Sequence, residues 1–354
     1  MTKIISVVIP CLNESNTILK VIDDIKQNLG KILKTSEYDL IIADNGSTDG
    51  TLELLKSAKN INIVNIPIKG YGAALHFGIL SSNARYVIYA DADLSYPFSN
   101  INKFIHTIQS NPDLVLGSRI KGSIAKGAMP FLHRYLGTPV LTFLIRFFYR
   151  IKTTDCNSGM RMIKKSFYKG LNMRNSGMEW ASELILKTAL KNGKYIEVPI
   201  IFKKDKRGRK PHLSTWSDGW RHLKAIFLLK PAILYVSVLF LLILSVYFYS
   251  NGIFTLTFLF LDLSIVLYLC LLTLKLLESV IERKETGVSK FLKEFKLVPL
   301  TFAFTLFVGA MVFIIPNNHL GTKLFLISIL GIVFMWIFLI ETIKTHLVNK
   351  LPDF

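Results

Sequence analysis

Tyr86-Val87-Ile88-Tyr89-Ala90-Asp91-Ala92-Asp93 is an apolar run of strand length that ends in two carboxylates one residue apart. A short continuous apolar run bounded by polar residues is the pattern of a strand buried on both faces. Residues i and i+2 of an extended chain point to the same side, so both carboxylates can face one hard cation. Magnesium and manganese bind in this way, with one or two carboxylates and with phosphate oxygens completing the shell. Taken alone the pair is a weak signal, because acids at strand ends also cap loops.

Runs of the same kind recur at residues 4–9, 38–43, 61–66 and 113–116. Between them, residues 17–33, 51–57, 73–81 and 101–109 carry helical patterning, with Ser47 or Thr48 available to cap the second helix. The alternation predicts an α/β domain, a mostly parallel sheet with helices on both faces. Ligands of such sheets bind beyond the carboxyl ends of the strands. The polar clusters fall there: residues 10–14 after the first strand, 44–49 after the second and 91–97 after the fourth.

The rest of the chain has a different composition. Of 354 residues 51% are apolar, the mean hydropathy is +0.41, and the excess lies in residues 231–343. Stretches 231–249, 253–274, 297–315 and 321–340 each approach the ~20 apolar residues that span a bilayer. They predict an all-α membrane domain of four transmembrane helices. Arg221, Lys224 and Lys230 precede the first stretch, and Lys275, Arg283, Lys284, Lys290, Lys293 and Lys296 separate the second from the third. The connections 250–252 and 316–320 hold no Lys or Arg, so the positive-inside rule puts both termini and the N-terminal domain in the cytoplasm.

The expected organisation is therefore a catalytic-type α/β domain over 1–212, an amphipathic interfacial helix over 213–230, the membrane domain over 231–343 and a cytoplasmic tail over 344–354, in a plasma or inner membrane. In the helix, Leu213, Trp216, Trp220, Leu223 and Phe227 recur at steps of three and four. Residues 130–150 are apolar but broken by His133, Arg134, Arg146 and Arg150, which suits a surface rather than a span. No cleavable signal peptide is expected, since the first apolar run is short and ends at Pro10. Cys11, Cys156 and Cys270 lack metal-ligand spacing and read as free thiols. The net charge of +19 is concentrated beside the apolar stretches. It points to anionic membrane lipids, at about 1 kcal/mol per nearby Lys or Arg, and no nucleic-acid module is visible.

Ser6-Val7-Val8-Ile9-Pro10, Asn13-Glu14, Asp44-Asn45-Gly46-Ser47-Thr48-Asp49-Gly50-Thr51 and Asp91-Ala92-Asp93, in this order and spacing, resemble the family 2 glycosyltransferases of GT-A fold. Gly117-Ser118-Arg119, Gly127-Ala128-Met129-Pro130, the run from Asp155 to Arg161, Gly177-Met178-Glu179 and residues 216–222 resemble a bacterial branch similar to dolichyl-phosphate mannosyltransferase. The resemblance implies an inverting transfer of one sugar from a nucleotide-diphosphate sugar to a polyprenyl phosphate, with a divalent metal, Mg2+ or Mn2+. It implies that Pro10, Asn13, Glu14, Asp44 and Lys69 shape the nucleotide site, that Asp91 contacts the donor and that Asp93 holds the metal. Lys69-Gly70-Tyr71-Gly72 also reads as a plain turn before a helix.

Arg119 is expected at the reaction centre, and Arg119, Arg134, Arg207 and Arg209 on the acceptor phosphate, because Arg grips phosphate through paired donors. The basic run 203–210 reads equally as a solvated loop attracted to anionic lipid. Asp155, Arg161 and Glu179 are assigned to site organisation, with Asp155 orienting Arg161 or Arg119. A phosphate monoester has its second pKa near ~6 and arrives anionic, so such an acceptor needs no base; a hydroxyl acceptor would need one, from Asp155, Glu179 or Glu183. Asp262 falls within the second expected span. Other acceptors, and a non-catalytic nucleotide-sugar-binding scaffold, remain as alternatives. The donor sugar, its nucleotide and any homo-oligomer stay open.

Overall fold

The computed structural model describes residues 3–208, 215–230 and 232–252, with isolated positions between 260 and 268. The chain divides into two compact units, one ending at Leu229 and the other beginning at Lys230. In chain order the first unit contains β1 (Ile5–Cys11), α1 (Ile18–Leu29), β2 (Tyr38–Asp44), α2 (Thr51–Ser57), β3 (Asn62–Asn65), α3 (Tyr71–Ser81), β4 (Tyr86–Tyr89), α4 (Ile101–Thr107) and β5 (Leu114–Ile124). A π-helical turn (His133–Gly137), α5 (Thr138–Tyr149), β6 (Arg161–Lys164), α6 (Lys165–Lys169), α7 (Trp180–Leu190), β7 (Tyr195–Phe202) and α8 (Thr215–Leu228) follow.

The strands form one seven-stranded sheet in the order β3-β2-β1-β4-β6-β5-β7. β1 pairs parallel with β2 and with β4, Ile5 standing opposite Tyr38 on one side and Tyr86 on the other. β6 alone runs against its neighbours, antiparallel to both β4 and β5. The expected mostly parallel α/β sheet is thus present, with one reversed strand that the apolar-run pattern did not reveal. β7 also escaped that pattern: Pro199 cannot donate to a ladder, and β7 tolerates it at the sheet edge.

Every residue of β4 is buried, as are Val7, Val8 and Ile9 of β1. α1 covers one face because Ile18, Val21, Ile22, Ile25 and Leu29 recur at helical spacing. It stops at Leu29 rather than at residue 33, where Gly30 starts a turn. α3 is buried nearly all round and stays close to the sheet through small residues. A Cβ on Gly78 would lie 2.5 Å from Val8 Cγ1 and 3.3 Å from Ala43 Cβ.

The chain lays β2 and β3 on one side of β1, then returns to place β4 on the other. Loops leaving the carboxyl ends of β1 and β4 therefore diverge and open a crevice between them, which is where open α/β sheets bind ligands. Residues 13–14 and 91–93 stand at this switch point.

α8 occupies the stretch expected to be an interfacial helix, but it packs against α5 and α7, with Asp218, His222 and Lys224 buried. Asp218, His222 and Lys224 thus face protein, whereas Arg221 is partly exposed. Residues 131–147 carry the exposed apolar surface instead: Phe131, Tyr135, Leu136, Val140, Phe143 and Phe147 are all exposed.

In the second unit α9 (Ala232–Ser250) coincides with the first expected span. Its 19 residues reach about 28 Å at 1.5 Å per residue, and no helix among the described residues is long and apolar enough to cross a membrane. The spans at 297–315 and 321–340 lie outside the described residues, as do most of 253–274 and Asp262.

Alanine at Gly78 gains roughly 1 kcal/mol of helix propensity, whereas overpacking a full core costs about 1–3 kcal/mol. Val8 is wholly buried and stiff at χ1, so it cannot yield. With the overpacking cost in the upper half of that range, Gly78→Ala should lower net stability by about 1–2 kcal/mol, read as a reduced melting temperature of the full-length protein in detergent. An unchanged or higher melting temperature would contradict this packing.

Candidate active site

The site is assembled from loops that the sheet holds at its carboxyl edge. After β1, Asn13 takes a left-handed conformation (φ 58°), its N–H donating to Ser47 Oγ (2.9 Å) and its Oδ1 accepting from Thr48 N–H (2.7 Å). The loops after β1 and β2 are thereby stitched together. Asp44 is buried, and its carboxylate accepts from the Gly46 and Ser47 amides and the Ser47 hydroxyl. It holds the turn at Gly46 and Ser47. Lys69 Nζ donates to the Asn45 carbonyl (3.1 Å), and the Gly70 N–H donates to Asn45 Oδ1 (2.7 Å). Pro10 lies within β1, opposite Ala43.

Asp91 and Asp93 leave β4 on a turn, not on an extended strand, and Leu94 behind them is left-handed (φ 65°). The Tyr71 hydroxyl donates to Asp91 Oδ1 (2.9 Å). A Cβ on Gly159 would lie 2.6 Å from Asp91 Oδ2, so only glycine lets that oxygen sit there. Burial, then the neighbouring Asp93 charge, raises the Asp91 pKa. Asp93 Oδ1 accepts from the Ser95 amide (2.9 Å) and hydroxyl (2.5 Å), while Oδ2 is ion-paired with Arg207. Glu14 is buried beside them, with Oε1 3.7 Å from Arg207.

Arg119, at the end of the buried part of β5, is bound to Asp155 through both carboxylate oxygens: Nε to Oδ2 at 2.8 Å and a terminal nitrogen to Oδ1 at 2.7 Å. The Arg119 amide donates to the same Asp155 (3.0 Å), and the guanidinium carbon lies 5.1 Å from the Phe202 ring centroid. Burial opposes the Arg119 charge, but Tyr96 and the Asp155 carboxylate outweigh it and raise its pKa. Two of its five N–H donors are used by the Asp155 side chain, leaving three for what enters the cavity it lines.

Of the two expected partners, Asp155 thus orients Arg119. Arg161 is fully buried and donates instead to the carbonyls of Ser158, Ala181 and Cys156, fixing the loop that carries Gly159 and the start of α7. Glu183 accepts from the Arg174 and Asn175 amides and pairs with Lys187. Both Glu179 side-chain oxygens are buried over Gly177 with no hydrogen-bond partner among the described residues, and burial raises the Glu179 pKa.

A cavity of about 650 Å³ connects these groups. Its polar end is formed by Tyr71, Asp91, Asp93, Tyr96 and Arg119, and its other walls by Met129, Leu132, Leu136, Val140, Leu141 and Leu223. His133 lines it, with a pKa lowered by burial and by Arg119. Arg134 is exposed on the π-helical turn, over the Tyr135 ring, and is not among the lining residues. Arg207 sits on Asp93 and Glu14, and Arg209 lies outside the described residues. Sequence reasoning missed Tyr71 and Gly159 as the clamp on Asp91. The only signal for Tyr71 was its place in the Gly-Tyr-Gly turn.

Residues 6–171 match the family described as Glycosyl transferase family 2. The low-salt glycan biosynthesis hexosyltransferase Agl6 of Haloferax volcanii is 34% identical over 233 residues, which is 65% of this chain and 55% of that protein. The chain therefore spans about half the length of that relative. A dolichyl-phosphate hexose transferase of the same organism is 27% identical over 202 residues, covering 56% of this chain and 82% of its own length. Glucosyl-3-phosphoglycerate synthase from Mycobacterium tuberculosis, solved with phosphoglyceric acid, superposes with a TM-score of 0.50 at 21% identity, over 64% of this chain and 79% of its own. That likeness shows a GT-A-like fold.

Removing one partner of a buried ion pair strands the other charge and costs roughly 3–5 kcal/mol. Asp155→Ala should lower stability by about 3 kcal/mol or more, measured as a fall in melting temperature. The double variant Arg119→Met, Asp155→Leu should recover most of that loss while remaining inactive. A single variant as stable as wild type would show that the pair does not hold the loop.

Proposed function

For a chain whose residues 6–171 belong to glycosyl transferase family 2, we propose the inverting transfer of a single sugar from a nucleotide-diphosphate sugar to a polyprenyl phosphate, at the cytoplasmic leaflet of a membrane. The observation that carries this reading is the cavity. Its acidic and Arg119-bearing end meets apolar walls built by residues 128–141 and α8, and the same 131–147 segment exposes Phe131, Tyr135, Phe143 and Phe147. A headgroup phosphate at Arg119 with its hydrocarbon among these side chains uses both kinds of surface. Each large apolar side chain fully buried contributes about 1.5–3 kcal/mol. The names of two relatives, a hexosyltransferase and a dolichyl-phosphate hexose transferase, support the same reading.

The residues at the turn fit a divalent cation, since Asp93 and Glu14 already converge on the positive charge of Arg207. Among the described residues no cluster of three His, Cys, Asp or Glu could hold a metal by itself, so a cation on Asp93 would complete its shell with donor phosphates. When bound, such a cation offsets the charge of the departing nucleoside diphosphate. Asp91, fixed by Tyr71 and Gly159, would meet the donor. Arg119 would hold the acceptor phosphate in line, one phosphate oxygen bonding to the anomeric carbon as the bond to the diphosphate breaks. The nucleophile arrives as an anion, so no side chain takes a proton.

A hydroxyl acceptor is the second reading. Asp155 and Glu183 are bound to Arg119 and Lys187, and Asp218, itself paired with Arg221, lines the cavity and would serve as the base. Four membrane spans from residue 231 onward, with both termini cytoplasmic, complete the proposal.

Membranes containing the full-length protein, given labelled nucleotide sugars, should yield label in an extractable polyprenyl-phosphate fraction. Asp93→Ala should reduce it at least a hundredfold, the scale of losing a main electrostatic contribution to catalysis. If wild type labels no lipid with any donor, the acceptor assignment fails.

A further inference from the structure

The seat that a divalent cation would take is filled by a cation of the chain itself. Arg207 lies on segment 203–208, which is docked through its backbone: Lys203 N–H donates to the Ser95 carbonyl (2.8 Å) and Lys206 N–H to the Asp93 carbonyl (3.0 Å). Asn16 Nδ2 adds a bond to the Arg207 carbonyl (3.2 Å). One terminal nitrogen of the guanidinium is ion-paired with Asp93 Oδ2, and the other lies 3.7 Å from Glu14 Oε1. The side chain is only 13% exposed. Asp93 Oδ1 is taken by Ser95, so Oδ2 is the oxygen left for a cation, and Arg207 holds it.

Arg207 and a metal cannot share that oxygen. A magnesium-sized ion approaches a carboxylate oxygen to about 2.0–2.1 Å, displacing a hydrogen-bonded guanidinium, and the two positive charges then repel. We propose that Arg207 is the resident counter-ion of the Asp93 seat, expelled with segment 203–208 when a divalent cation binds, and that the freed guanidinium then serves the acceptor phosphate. The second half rests on the reading of the acceptor given above; the first depends only on Asp93 and Arg207. One side chain would thus neutralise the empty donor site and later complete the acceptor site. Binding becomes ordered, cation and donor before acceptor.

The exchange can be followed without sugar transfer, on the full-length protein in detergent. With Mn2+ alone as the probe, loss of the free-ion electron paramagnetic resonance signal gives the affinity. Arg207→Gln should bind Mn2+ roughly tenfold tighter than wild type, as removal of a close competing charge allows, with Arg207→Lys in between. Equal affinities within about twofold would overturn the proposal. In wild type, Mn2+ with uridine or guanosine diphosphate should accelerate tryptic cleavage mapped within 203–209 several-fold, and Asp93→Asn should be cleaved fast without metal. Cleavage indifferent to Mn2+ in wild type would overturn it independently of any variant. Since neither readout involves an acceptor, failure here leaves the lipid-labelling result untouched, and the reverse holds as well.

Discussion

Glu14 and Asp93, both buried, and the half-buried Asp91 are brought together where the loops after β1 and β4 diverge. Like charges in a poorly solvated place repel, and each loses hydration. Such a cluster persists only if positive charge and donors are supplied nearby. The structure supplies them from distant parts of the chain, Arg207 for Asp93 and Glu14 and the Tyr71 hydroxyl for Asp91, and locally through the Ser95 amide and hydroxyl for Asp93. The loops around the site take their places from this need. The turn holding Tyr71 is fixed through Asn45, the segment holding Arg207 is docked on Ser95 and Asp93, and the Gly159 loop is fixed by Arg161.

The same arrangement separates two tasks. At the β1–β4 side, acids concentrate and cation chemistry is favoured. At the β5 side, Arg119 is held charged and oriented by Asp155, facing a cavity whose remaining walls are mostly apolar. A diphosphate leaving group and a lipid phosphate make opposite demands on a protein, one for bound cation and carboxylate, the other for guanidinium and hydrocarbon surface. One cavity offers both kinds of surface, because residues of the π-helical turn, α5 and α8 line it together with Asp91, Asp93 and Arg119, and on the proposed function each demand finds its own end of it.

Much of this was legible in the sequence, for identifiable reasons. β1, β2 and β4 are legible because strands buried on both faces are continuous apolar runs, and the polar clusters after them mark the binding edge; β3, mostly exposed at the sheet edge, shows only a short apolar run. β6 and β7 were hidden: β6 begins with Arg161, whose charge is satisfied by three carbonyls, and β7 contains Pro199 at an edge. The acid pair was found from its spacing, though its geometry comes from a turn with Leu94 left-handed, not from an extended strand. The sequence places Arg207 on the acceptor phosphate, because local sequence shows a basic run and cannot show that Asp93, 114 residues away, lies against it. α8 was read as interfacial from its tryptophans, and only packing reveals that Asp218 and His222 face inward.

On the proposed function, the turn after β4 binds a nucleoside diphosphate through a divalent cation on Asp93. Thermal unfolding of the full-length protein in detergent, with uridine or guanosine diphosphate and with or without Mn2+, tests it most directly. At a ligand concentration of about a hundred times Kd, binding stabilises by about 2.7 kcal/mol, which should raise the melting temperature by roughly 5 °C or more. The account predicts that one diphosphate produces this shift only when Mn2+ is present, and that Asp93→Ala abolishes it. No shift in wild type from either diphosphate with Mn2+, or an equal shift without Mn2+, would contradict it.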